Sequence, residues 1–457
     1  MPSHPFDFEI QSDLFSTPEL TAIFAEERRF NRWLQFEAAL ANAQAKLGII
    51  PAAAAAEITS KSDLALLDSA RIHQGYQRSR NSLIPLLQEL RRTCADGHGD
   101  YVHYGATTQD VIDTSQILEL RDTFRIIYRD IRRLEEVVMD LAKRHRTTPM
   151  IGRSHGQQAL PITFGLKCAV WLNEIRRHIE RIKHLLPRLL VGQLSGAVGS
   201  YAALGHNGRE VAKLTMAGLG LQATPLSWHN SRDNLAEAAS LMAIIAATFE
   251  KMANEVFELG KTEIGEILEP PPPGKSSSTM PHKRNPVICQ RVAVLSRQVR
   301  ALSGTVVEAM IHEHERDGRA LWSEWLAIPQ ISVYTGTALN YILTVFSGLE
   351  VAPERMLTNL YRHGDLVLSE WLQFRLESSI GKSRAQDKMT GLIAQTTRDG
   401  ITLSEGVRKD LELSAIMSPE DFAFMAHPER YNGLSETLVD DLLIDLTRQR
   451  DQEPNEL

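Results

Sequence analysis

The sequence predicts an all-α protein: three helical domains arranged around a long central bundle. Two apolar stripes and the composition carry that expectation. Between residues 115 and 146, apolar side chains fall at Ile117, Leu120, Phe124, Ile127, Ile131, Leu134, Val138 and Leu141, in unbroken steps of three and four. That is one buried face of a helix roughly 35–50 Å long at about 1.5 Å per residue. Residues 233–261 repeat the pattern with Ala238, Met242, Ile245, Phe249, Met252, Val256 and Leu259. Aromatics are only 6% of the chain while Ala, Leu, Ile, Glu and Arg are plentiful, a balance that favours helix. Strand signals are few and weak.

Taken in order, residues 1–13 carry Asp, Glu and Pro and lack the apolar core of a signal peptide. The turn His98–Gly99–Asp100 closes a small N-terminal helical domain, residues 1–110. The central bundle, residues 111–353, opens with the first stripe, which Pro149 and Gly152 end. Further helices are expected over 164–186, over 233–261 and after Pro286. Beyond Val351–Pro353 the helices shorten and the composition turns polar, marking a C-terminal helical domain, residues 354–457. Its charged tail from Asp451 is expected to fray. The longest strongly apolar stretch, 241–247, is too short to cross a bilayer, so a soluble, cytoplasmic protein without membrane contact is expected. A net charge of -7 argues against a general affinity for nucleic acid and leaves room for a local basic pocket. Cys94, Cys168 and Cys289 are odd in number and widely spaced, which supports neither a disulfide framework nor a zinc site.

One segment differs from the rest. Four prolines at 270–273 lead into Gly274–Lys275–Ser276–Ser277–Ser278–Thr279 and then Met280–Pro281–His282–Lys283–Arg284–Asn285–Pro286. Turn formers, hydroxyl side chains and clustered cations interrupt a helical pattern there, and a loop that long in a compact chain is usually functional. It is not a phosphate-binding P-loop, because Glu269 stands where that motif needs a glycine and no strand precedes it. Gly218–Leu219–Gly220 is too little for a dinucleotide fingerprint and reads as a helix C-terminal turn. Lys283 and Arg284, beside the start of the next helix, suit an anionic ligand.

Ser277–Ser278–Thr279–Met280–Pro281–His282–Lys283–Arg284–Asn285–Pro286 resembles the signature loop of the fumarase/aspartase superfamily, Gly-Ser-Ser-x-Met-Pro-x-Lys-x-Asn. Two more blocks agree in chain order: His103–Tyr104–Gly105–Ala106–Thr107–Thr108–Gln109–Asp110, and Gly152–Arg153–Ser154–His155–Gly156–Gln157 continuing to Thr163. With Arg232–Asp233 and His314–Glu315–Arg316–Asp317 the likeness spans most of the chain. Within the superfamily, Tyr101–Val102–His103, Asn81–Ser82–Leu83–Ile84–Pro85 and Leu321–Trp322–Ser323–Glu324–Trp325 resemble 3-carboxy-cis,cis-muconate cycloisomerase. Phe164–Gly165–Leu166–Lys167 and the extended C-terminal part resemble adenylosuccinate lyase, whose Arg-His-Asp block reads Ser79–Arg80–Asn81 here. His155 matches the eliminating enzymes rather than the cycloisomerase branch.

The resemblance implies reversible β-elimination, or intramolecular addition, on a substituted succinate or other small polycarboxylate, with C–N or C–O cleavage giving fumarate or an analogue. Adenylosuccinate lyase is the alternative. A catalytically inactive helical scaffold is the reading from another class; Ser276 and Gln290, where the pattern has Gly and Glu, favour it. The set Ser277, Lys283, Asn285 and His155 speaks against it. Ser277 matches the family's base, with Ser278 second; a serine alkoxide needs donors and cations around it. His155, of ordinary pKa about 6.5, suits the general acid. Thr107, Thr108 and Gln109 would donate to one substrate carboxylate, Lys283 and Asn285 would hold another, and Arg232 and Arg316 are further candidates. No metal or other cofactor is implied. Proteins of this family are typically homotetramers with shared active sites, which suits stripes too long for one thin bundle.

Overall fold

The computed structural model describes residues 4, 5, 8, 10–271, 280 and 282–454. The N-terminal part is built from α1 (Pro18–Ile23), α2 (Glu26–Lys46), α3 (Ala52–Lys61), α4 (Ser69–Ser79) and α5 (Ile84–Thr93). A short 3-10 turn, His98–Tyr101, leads out of it. Gly99 is required there, because a Cβ would stand 2.1 Å from the Arg91 carbonyl oxygen.

Helix α6 (Thr108–Arg144) is the longest element described, 37 residues and therefore about 55 Å. The eight stripe residues from Ile117 to Leu141 are all at most 1% exposed. The helix begins at Thr108, earlier than the stripe implies. Gln109, Asp110, Asp113, Thr114, Ser115 and Gln116 are buried alongside Val111 and Ile112, so its first turns are enclosed on every side and show no period. Pro149 and Gly152, read as helix breakers, lie in a hairpin of β1 (Pro149–Ser154) and β2 (Gln157–Thr163).

Then come α7 (Phe164–Leu189), β3 (Val191–Gly192), α8 (Gly208–Gly218), β4 (Gln222–Ala223) and α9 (Asp233–Leu259). β5 (Ile267–Leu268), α10 (Val287–Glu308), α11 (Gly318–Ser347) and β6 (Glu350–Val351) complete the central part. Helix α9 packs on α10, α10 on α11, α6 on α7, and α11 on both α6 and α9. One continuous apolar core runs through this bundle. Among the described residues the strands pair as two-stranded ribbons, β1 with β2, β3 with β4 and β5 with β6, so the architecture is all-helical.

The chain ends in α12 (Pro353–Leu360), α13 (Ser369–Ile380), α14 (Lys382–Asp399), α15 (Leu403–Lys409), α16 (Leu411–Ile416), α17 (Pro419–Met425) and α18 (Ser435–Asp451). Leu372, Leu376, Leu392, Leu403 and Leu413 form a second core, which Ile151 of the hairpin enters. Helix α18 returns to the bundle, where Val439 and Leu446 join the central core. The frayed tail expected from Asp451 is corrected for residues 451–454, while residues 455–457 lie outside the described residues. The Glu453 carboxylate meets Arg132, Arg176 at 2.9 Å and Lys183 at 2.7 Å, and Tyr128 donates to the Pro454 carbonyl at 3.0 Å. No helix among the described residues is long and apolar enough to cross a membrane.

Candidate active site

The site residues separate into two groups at opposite ends of α6. At its start, Asp110 organises the first group. Its fully buried carboxylate accepts from four donors in three segments: the Thr107 N–H at 3.0 Å, the Ser195 and Gly196 N–H groups at 3.0 Å each, and His229, whose Nε2 lies 2.9 Å away. A buried carboxylate is stable only when so saturated. It ties the turn before α6, the loop after β3 and the loop before α9 into one floor.

Arg316 lies over that floor. Its Nη1 donates to Thr107 Oγ1 at 2.9 Å and its Nε to Gln109 Oε1 at 3.1 Å. Arg316 is exposed and Thr107 and Thr108 are half-buried, so all three can meet a ligand. Gln109 is different. It is 2% exposed, and its amide nitrogen donates to Asp113 at 3.1 Å and to the His229 carbonyl at 3.0 Å, so it acts by holding Arg316.

Arg232 is the correction among the binding candidates. The residue is 1% exposed, with both Nη atoms within 3.0 Å of Asp113 and Nε 2.9 Å from Glu324. Burial acts to lower its pKa, but the two carboxylates more than offset this and hold the guanidinium above its ordinary value. No edge remains for a substrate. It is the buried strut that joins α6, α9 and α11.

The second group lies past the far end of α6. Ser154 pairs with Gln157, and the two residues between, His155 (φ 52°) and Gly156 (φ 78°), are both left-handed. Two such residues make a type I′ hairpin turn, for which glycine is suited at the second position. Histidine tolerates positive φ better than most residues other than glycine, and His103 and His314 adopt it as well. The His155 tip is exposed, while the hairpin root is pinned. Arg153 makes two hydrogen bonds to the buried Glu266, at 2.6 and 2.9 Å, and Gln158 donates to the Asn359 carbonyl at 3.0 Å.

The base of the loop before α10 lies on this same end. The Glu269 carboxylate accepts the Ile288 and Cys289 N–H groups at 3.1 and 2.9 Å, capping α10 from a distance in sequence. Arg284 pairs with Glu350 and donates to the Glu269 carbonyl at 2.9 Å, so its charge is locally balanced rather than offered to an anion. Lys283 is exposed and Asn285 half-buried, both just ahead of α10. Ser277 and Ser278 lie outside the described residues. Sequence reasoning missed Asp110, His229 and Glu269 as organisers. The Thr107-x-x-Asp110 spacing at a helix start was a usable signal; His229 and Glu269 had none.

A protein-family model described as "Lyase" matches residues 15–301, more than half of the chain. The chain is a lyase of the fumarase/aspartase superfamily. This lyase is 41% identical over 386 residues to the N-acetyl-S-(2-succino)cysteine lyase of Dickeya dadantii, covering 84% of this chain and 85% of that one. To the adenylosuccinate lyase of Pyrococcus abyssi it is 35% identical over 97% of this chain and 98% of that one. The crystal structure of 3-carboxy-cis,cis-muconate lactonizing enzyme from Pseudomonas putida superposes with a TM-score of 0.88 at 34% identity, over 95% of this chain and 98% of that one. The lyase is therefore an enzyme of all-helical fold whose relatives divide among at least three reactions.

Proposed function

We propose that this lyase releases fumarate from an S-succinylated thiol, N-acetyl-S-(2-succino)cysteine, at a site completed by other copies of the chain in a homotetramer. The separation of the two residue groups carries the second half of that reading. Thr107 and Arg316 sit at one end of a helix about 55 Å long and the His155 hairpin follows the other end. A substrate of a few ångströms cannot touch both within one chain. Exposed Ile244 on α9, Val294 and Val307 on α10, and Trp322 and Leu326 on α11 offer apolar surface for the association.

In this reading the Ser277 hydroxyl oxygen, as alkoxide, takes the proton from the carbon next to a carboxylate. Thr107, Thr108 and Arg316 receive one carboxylate and Lys283 with Asn285 the other. The C–H electron pair becomes the double bond of fumarate, and the neighbouring C–S bond breaks with its pair leaving on sulfur. A thiol has an ordinary pKa of about 8.5, so sulfur departs readily as thiolate, whereas an amine leaving group must be protonated as it leaves. That lower demand on acid catalysis fits a chain without a second histidine near 79–81. Asn81 is used there as a cap, its side-chain oxygen accepting the Leu83 and Ile84 N–H groups at 3.0 and 2.9 Å. His155 serves as the acid that meets the departing sulfur. The relatives that act on the sulfur substrate thus favour C–S cleavage over the C–N or C–O cleavage expected from motifs alone.

The test follows fumarate by its ultraviolet absorbance with N-acetyl-S-(2-succino)cysteine and adenylosuccinate as substrates, and carboxymuconate by its own absorbance with carboxymuconate lactone. The sulfur substrate is expected to show the highest kcat/KM. Faster release from adenylosuccinate would overturn the assignment.

A further inference from the structure

A cleft of about 910 Å³ opens between α2, α4, α5 and α11, with walls of Phe24, Phe30, Ile72, Tyr76 and Trp325. Its charged groups give no anchor for a phosphate. Glu26 and Glu27 line it, and Arg29 is engaged by Glu119 through two hydrogen bonds, at 2.8 and 3.0 Å. Arg29, Trp33 and Trp325 also line a small chamber of about 10 Å³, which reaches α6 at Ile112 and Ser115. Room of that size suits a single polar atom or one water.

The residues that line this chamber carry three buried polar atoms without a hydrogen-bond partner among the described residues: Trp33 Nε1, Ser115 Oγ and Gln116 Nε2, each of which can donate. Trp33 is 3% exposed and Ser115 2%. Buried donors without partners are uncommon and ask for an explanation. An indole N–H can only donate, so the group it awaits is an acceptor. The apolar walls and acidic lining make that acceptor an uncharged carbonyl rather than a phosphate or carboxylate.

The position fits the reaction. Ser115 lies seven residues after Thr108, about 10 Å along the helix from the carboxylate-facing end. An extended chain advances roughly 1.2 Å per bond, so the eight bonds from a succinyl carboxylate oxygen through sulfur to an N-acyl oxygen span about 10 Å. We infer that this cleft is the acyl-amide subsite of the lyase, with the carbonyl oxygen of an N-acyl leaving group accepting from Trp33 and Ser115 and its alkyl part against the aromatic wall. The inference rests on the reading of the substrate as an N-acylated thioether, which it sharpens by naming what the enzyme recognises beyond the succinyl unit.

The experiment compares N-acetyl-S-(2-succino)cysteine with S-(2-succino)cysteine in the wild type, Trp33→Phe and Ser115→Ala. Trp33→Phe keeps an aromatic side chain but removes the indole donor along with one of the two fused rings, so the ratio between the two substrates, rather than the absolute rate, is the readout. The ratio of kcat/KM values for the two substrates is expected to fall about tenfold or more in Trp33→Phe and less in Ser115→Ala, with fumarate inhibition unchanged. An unchanged ratio, or equal losses on both substrates, overturns the subsite. Calorimetry with N-acetylcysteine separates this claim from the reaction itself. Binding to the wild type that weakens about tenfold in Trp33→Phe supports the subsite even if neither thioether is turned over. Equal binding to both proteins, or none to the wild type, overturns it.

Discussion

The two ends of α6 hold their functional side chains in opposite ways. At the Thr108 end, Asp110, Asp113, Arg232 and Glu324 are buried, and every oxygen of the three carboxylates has a hydrogen-bonding or ion-pair partner within one chain. At the other end His155 stands exposed on a two-residue turn, fixed only through the root of its hairpin. The first end is preorganised within one chain, since buried polar networks that are fully satisfied rigidify their surroundings. The second end leaves its histidine exposed, with no hydrogen bond among the described residues to fix the ring. On the proposed reading, carboxylate recognition is built within one chain while the proton-transfer group is delivered to a neighbouring copy.

The comparison breaks most visibly at Arg232. Replacing it by Met leaves Asp113 and Glu324 buried without their cation, a loss of about 3–5 kcal/mol. Urea denaturation of Arg232→Met is expected to show that loss, with soluble yield falling in parallel. A midpoint close to wild type would mean the strut is not what orders this end. Gly156→Ala probes the other end. An L-residue in the left-handed region costs about 1–2 kcal/mol, and the added Cβ meets nothing within 4 Å, so the effect is conformational alone. The expected result is a clear drop in kcat from a displaced His155, with the bundle's helical circular dichroism preserved. Unchanged kcat would detach the turn from catalysis.

The smallest effect is a pH dependence at His103, which shares the Thr107 end. Burial acts against its protonation, but Glu37, whose Oε1 lies 2.7 Å from His103 Nδ1, outweighs this and raises its pKa above the ordinary value. A raised folded-state pKa contributes stability that is complete below the unfolded value near 6.5 and is lost as pH rises through the folded value. The wild-type melting temperature should therefore fall modestly on moving upward through that window. His103→Gln should flatten that fall; an equal slope in both proteins would assign it to other groups.

Much of this was legible in the sequence, and the exceptions have physical causes. The stripes at Ile117–Leu141 and Ala238–Leu259 were readable because each buries one face. Helix α11 was not anticipated, because Ile331, Ser332, Val333, Tyr334, Thr335 and Ala338 are buried around its whole circumference and leave no period. The hairpin was hidden by Pro149 and Gly152, which read as breakers although a two-stranded ribbon tolerates them. Among site residues, Thr107 and Arg316 were found by motif and do meet. Arg232 was misassigned because its partners Asp113 and Glu324 lie far away in sequence on two other helices. Asp110 was visible in its block, but its role depends on N–H groups some 85 residues on, which spacing cannot show.

On the proposed reading, no single chain contains a whole site. His155→Gln and Arg316→Leu should each abolish most fumarate release when assembled alone. Mixed, denatured and refolded together, they should recover activity, since random assembly leaves roughly a quarter of shared sites with both wild-type groups. Recovery well above the sum of the two parents is the predicted result. Mixed assemblies that form but stay as inactive as the parents would contradict the account.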